Sequence, residues 1–154
     1  MLALNCMVNP VAGLSGLGPT DVRLEPGPRR LSIALPAEAI NVGRTRGFEG
    51  EPICGIAAQR IVDAATGRGL AEVKADIARD AKSRSGGGPS LLQDVMRGRR
   101  TEIDYLNGYV VDEARRLGVP LPFNEAIVEI YRRHGVGALK PDPRNLDPLL
   151  EKLR

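Results

Sequence analysis

Between Thr101 and Gly118 the apolar residues recur at intervals of three and four: Ile103, Leu106, Val110, Ala114 and Leu117. That spacing lines one face of a helix, whereas a half-buried strand alternates every second residue. No useful length of the chain alternates with period two. Helical spacing returns in 2–12, 29–46, 57–65, 70–82 and 125–133. The chain is therefore expected to be all-α, a multi-helix bundle of six to eight helices.

The punctuation between these runs is glycine and proline. Residues 13–28 and 83–89 are expected as loops, and 48–56 as a connector. Pro10 and Pro36 fall inside helical runs and are expected to kink them, because proline cannot donate to the carbonyl four residues back. Gly118 is a natural helix stop, and Val119–Pro122 an extended link. Asn124 is placed to cap the helix of 125–133, and His134 lies at that helix's carboxyl end, where a cation is favoured. The expected division is a helical domain over 1–135 and a tail over 136–154, KPDPRNLDPLLEKLR at its end. That tail is expected either to attach loosely or to form a short terminal helix.

Composition removes several function classes. The 22 basic residues are interspersed with 19 acidic ones for a net charge of +3, and aromatics make up 3% with no tryptophan. Nucleic-acid binding is not indicated, since it calls for a basic patch or stacking platform. Cys6 and Cys54 form neither a disulfide framework nor a zinc site, and no metal centre is expected. Their apolar neighbours indicate free thiols in a reducing compartment. Nothing approaches a membrane-spanning length and no basic leader precedes the apolar start, so a cytoplasmic protein is expected. A single histidine argues against a Ser-His-Asp triad. Gly13-Leu-Ser-Gly16-Leu-Gly18 lacks the G-x-G-x-x-G spacing and follows no strand, and there is no P-loop.

The polar side chains that stand out lie along the opening stripe and near the N-terminus. Ser90 and Asp94 are four apart and share a helix face. Arg97-Gly98-Arg99-Arg100 breaks that helix, and Glu102 follows, expected in the first turn of the next one. Asn5 and Asn9, also four apart, share a face just before Pro10. Residue types alone leave Asn5 and Asn9 open between helix–helix hydrogen bonding and a ligand-facing patch.

Ser90-Leu-Leu-Gln-Asp94, Arg99-Arg-Thr-Glu102-Ile-Asp-Tyr-Leu-Asn-Gly108, Gly118-Val-Pro-Leu-Pro122 and Asn124 together resemble the C-terminal domain of ketopantoate reductases, the 2-dehydropantoate 2-reductases. Asn5-Cys-Met-Val-Asn9-Pro10 resembles that family's first C-terminal helix. The resemblance implies a helical domain of the 6-phosphogluconate dehydrogenase-like type, beside an N-terminal Rossmann domain that holds NADPH and is absent from these residues. It implies that Asn5, Asn9 and Ser90 bind a 2-oxo acid such as ketopantoate, and that Glu102 is the catalytic residue at the meeting of cofactor and substrate. Asp94 would support the loop and its arginines. Where the family carries its proton-donating lysine, this sequence has Met1, so the chain is expected to be part of a longer or split enzyme and inactive alone. A homodimer is among the expected assemblies. The competing expectation is a non-catalytic helical module for self-association or partner binding.

Overall fold

Prolines decide where several helices begin. A computed structural model describes residues 2–83 and 90–153. It has nine α-helices among those residues: α1 (Leu2–Ser15), α2 (Pro19–Leu24), α3 (Pro26–Thr45), α4 (Ala58–Ala65), α5 (Leu70–Ser83), α6 (Ser90–Met96), α7 (Asn107–Leu117), α8 (Pro122–His134) and α9 (Asp147–Glu151). A 3-10 turn, Pro143–Leu146, leads into α9. Pro19, Pro26 and Pro122 each stand first in a helix, where the missing N–H costs nothing and the fixed φ is already helical. No strand occurs among the described residues, only an isolated bridge between Ile53 and Ile56. The all-α expectation holds.

Residues 13–28 are not a loop. α1 runs on to Ser15, α2 fills Pro19–Leu24 and α3 starts at Pro26, because these prolines initiate helices instead of breaking them. Together with the short α9, this raises the count above the expected six to eight. Pro10 and Pro36 lie buried inside α1 and α3, which continue through them. The glycine-rich segment expected over 83–89 lies, from residue 84 on, outside the described residues.

α1 and α3 pack on each other and divide the interior in two. On one side Cys6, Val11 and Leu14 of α1 and Leu31, Leu35 and Val42 of α3 join α6, α7, α8 and the C-terminal leucines. On the other, Met7 of α1 and Ile33, Ala37 and Ile40 of α3 meet Ile61 of α4 and Val73 and Ile77 of α5. Each helix feeds both sides because its apolar residues exceed a single stripe. Arg23 of α2 reaches α5 through a largely buried ion pair to Asp80 at 2.8 Å, which burial spares from solvent screening.

Two further expectations change. The helix expected from Glu102 onward begins only at Asn107, and 101–106 form turns. Ile103 is buried nonetheless, and its carbonyl accepts the Gly108 amide at 2.9 Å. At the other end of the stripe, Leu117 is 38% exposed. Asn124 does not cap α8 from outside but lies in its first turn, fully buried. Gly118 closes α7 with φ 68, the left-handed geometry expected of a helix-ending glycine.

Candidate functional site

α1 presents Asn5 and Asn9 half-exposed while the intervening Cys6 and Met7 turn inward. Neither amide side chain has a hydrogen-bond partner among the described residues, so helix–helix bonding does not account for them. α6 packs directly against α1. Its first residue, Ser90, is exposed, and Asp94 one turn later is half-exposed. The fold thus sets the two asparagines and Ser90 on adjoining helices.

Beyond α6 the chain reverses at Gly98, whose φ of 64 suits glycine. The Asp94 carbonyl accepts the Arg99 amide at 2.8 Å. The Asp94 carboxylate makes no ion pair among the described residues. Glu102 occupies the next turn with its side chain exposed, and its carbonyl accepts the Tyr105 and Leu106 amides at 2.9 and 3.1 Å. That turn is built rather than loose, because Ile103 beside it is anchored in the core. Met1 lies outside the described residues.

A buried polar network ties α3, α7 and α8 together, and its central residue, Glu38, carries no sequence signal. The Asn107 side chain donates to Asn124 Oδ1 at 2.8 Å, and Asn124 Nδ2 donates to Glu38 at 2.6 Å and to the Leu35 carbonyl at 3.1 Å. The Glu38 carboxylate also accepts the Phe123 and Asn124 amides at 3.0 and 2.9 Å, so α3 supplies the cap that α8 lacks. Burial pushes the Glu38 carboxyl above its ordinary range, against the hydrogen bonds from Phe123 and Asn124 that hold it down. Glu38 sits in an unremarkable Pro-Ala-Glu-Ala run, and only the long-range packing of α3 on α8 gives it this task.

Two other titratable groups near α1 are poor candidates for chemistry. Burial pushes the Cys6 thiol up to about 12, which keeps it protonated and unreactive. Burial likewise raises the Tyr131 hydroxyl, which donates to the Pro10 carbonyl at 2.8 Å. Among the described residues no cluster of histidine, cysteine or acidic side chains is arranged to hold a metal ion. No described helix is long and apolar enough to cross a membrane.

Comparison with known proteins bears on this arrangement. A family model described as ketopantoate reductase PanE/ApbA C terminal matches residues 1–134. A 2-dehydropantoate 2-reductase from Yersinia pestis is 33% identical over 132 residues, covering 86% of this chain and 37% of that protein. One from Archaeoglobus fulgidus is 26% identical over 129 residues, covering 84% of this chain and 37% of its own length. A third, from Salmonella typhimurium, is 41% identical over a 59-residue segment, 34% of this chain and 20% of the relative. The chain thus spans well under half the length of these relatives.

Proposed function

Because the chain belongs to the ketopantoate reductase family as its C-terminal domain, we propose that it forms the helical, substrate-facing part of an NADPH-dependent 2-dehydropantoate 2-reductase-like enzyme. The observation that carries this reading is the pair of unpartnered amides, Asn5 and Asn9, on a helix packed against the one that begins with Ser90. Two amides and a hydroxyl offer directional donors and acceptors to the carboxylate, carbonyl and hydroxyl groups of a 2-oxo acid. Neutral donors orient such a substrate without holding its charge too tightly for release.

We assign NADPH to a Rossmann domain joined in cis or in trans, beside these helices. The cofactor supplies hydride to the keto carbon. What these residues contribute is placement. Asn5, Asn9 and Ser90 orient the acid, and Glu102, on its anchored turn, faces the edge where cofactor and substrate meet. Negative charge gathers on the carbonyl oxygen as hydride arrives and calls for a proton donor. The resemblance sets the family's proton-donating lysine at Met1, and we read the described residues as placing the acid rather than protonating it. Two free thiols fit a reducing compartment, and we place the protein in the cytoplasm.

Titrating the chain with 2-dehydropantoate while following side-chain amide signals tests this reading. Asn5 and Asn9 amides should shift saturably, and Asn9→Ala should weaken binding by about ten-fold, the loss of one charge-assisted hydrogen bond. Signals that stay put at millimolar ligand would remove the substrate role.

One observation favours the second reading, a self-associating module. Leu4, Met96 and Tyr105, on α1, α6 and the turn before α7, are exposed at 43%, 72% and 71%, apolar surface that a second copy could cover. Light scattering separates the two. A stable dimer that neither binds 2-dehydropantoate nor responds to Asn9→Ala supports the module.

A further inference from the structure

A cavity of about 280 Å³ opens between the arginine corner after α6 and the segment after α8, and none of Asn5, Asn9, Ser90, Asp94 or Glu102 lines it. Its floor is apolar: Val95, Ile103, Tyr131 and Leu139 are all buried there. Its rim carries three guanidinium groups, Arg99, Arg100 and Arg132, against one carboxylate, Asp104. Asp104 is committed to Arg132, with contacts at 2.8 and 2.9 Å. Arg100 stands 3.9 Å from it, beyond hydrogen-bond reach. Arg99 has no side-chain partner among the described residues. Two cations over an apolar floor thus keep most of their donors unspent.

The far wall has the same two-sided character. Gly135 and Gly137 have φ of 71 and 78, and between them Val136 is 67% exposed at the lip. A Cβ placed on Gly98 would stand 3.6 Å from the Gly137 backbone, so the two loops close on each other at that end. An apolar side chain held in solvent between two turned glycines, next to an apolar floor, has no folding purpose that burial would reward. It suits the body of a ligand.

We propose that this cavity is a binding site for an amphipathic carboxylate, a single carboxylate group on a short apolar body, separate from the substrate residues on α1 and α6. The forked guanidinium donors of Arg99 and Arg100 match a planar carboxylate, and Val95, Ile103, Leu139 and Val136 cover the body. Thr101 and Ile103 flank Glu102 in the chain and line the cavity, so an occupant leans on the Glu102 turn. The site follows from the cavity's own residues and stands whether or not the substrate reading does.

The test uses the whole chain, amide-resolved spectra and four probes: hexanoate, hexan-1-ol, hexylamine and inorganic phosphate. Hexanoate should shift amides of 95–104 and 131–139 saturably, while hexylamine leaves them unmoved. Hexan-1-ol and phosphate, each lacking one half of the ligand, should bind at least about ten-fold more weakly. Arg99→Ala, at an exposed position that leaves the fold intact, should weaken hexanoate by about ten-fold. Val136→Asp should also weaken it. Hexanoate shifts confined to Asn5, Asn9 and Ser90, equal affinity for hexanoate and hexan-1-ol, phosphate binding as tight as hexanoate, or an unaltered Arg99→Ala variant would each overturn the proposal.

Discussion

At Gly13 of α1 the Tyr131 side chain of α8 comes up against the helix backbone. A methyl group there would fall on the Tyr131 hydroxyl, well inside van der Waals contact, and within 3.3 Å of the Leu91 side chain. The Tyr131 hydroxyl has no room to retreat, since it is spent on the Pro10 carbonyl. Helix propensity favours alanine over glycine by up to about 1 kcal/mol, yet Gly13→Ala should destabilise the protein by about 1–3 kcal/mol because overpacking wins. Tyr131→Phe should cost about 1 kcal/mol for the lost hydrogen bond. Combining the two should cost less than their sum, since the phenyl ring frees the space the methyl needs. Denaturant unfolding of the three variants measures this; strict additivity would mean that the hydroxyl is not the obstacle. Asn5, Asn9, Ser90 and Glu102 were visible in sequence as a pattern of residue types. Gly13 was not, because it read as the opening of a loop and its constraint comes from a tyrosine 118 positions away (131 − 13).

At the level of elements, the helices with long apolar repeats were legible and those set by proline were not. Residues 29–46, 57–65 and 70–82 match α3, α4 and α5 to within a turn, since three- and four-residue spacing is a direct consequence of helix geometry. The turn of 101–106 escaped because Ile103 keeps the spacing of the stripe while leaving the helix. α8 shows a different limit, for its cap comes from Glu38 on α3. Glu38→Gln replaces one acceptor oxygen with a donor group and should cost about 1–3 kcal/mol at neutral pH. It should also change the pH profile. The folded carboxyl titrates above its ordinary value, so the protonated form is favoured by folding. That contribution is complete below the unfolded value near about 4 and is lost as pH climbs through the raised folded value. The stability difference between wild type and Glu38→Gln, followed upward from pH about 4, should therefore shrink. A difference that grows with pH would mean that the three hydrogen bonds outweigh burial.

For the molecule as a whole, the decisive packing is that of the C-terminal tail. Proline and charge dominate 136–154, and this composition gave no sign that Leu139, Leu146 and Leu149 lie in the same core as Cys6, Val11 and Ile127. The tail also closes α1. The Leu14 carbonyl accepts the Asp142 amide at 2.8 Å and the Asn145 side chain at 2.9 Å, two donors for a helix end that otherwise leaves carbonyls unpaired. α9 packs on α3 and α8, so the tail ties α1's carboxyl end to the helices on either side of it. Leu149, with no exposed surface, is the deepest anchor. Leu149→Ala should cost about 2–5 kcal/mol, the range for a large-to-small change in a packed core. The informative consequence lies elsewhere in the chain. If the tail holds α1, loosening it should speed amide exchange from Val11 to Gly16 as well as in 139–151, while α4 and α5, on the other side of the α1–α3 divide, keep their protection. Exchange that quickens only within the tail would make it an appendage, and the rigidity of the helix bearing Asn5 and Asn9 would then rest on α2, α3 and α6.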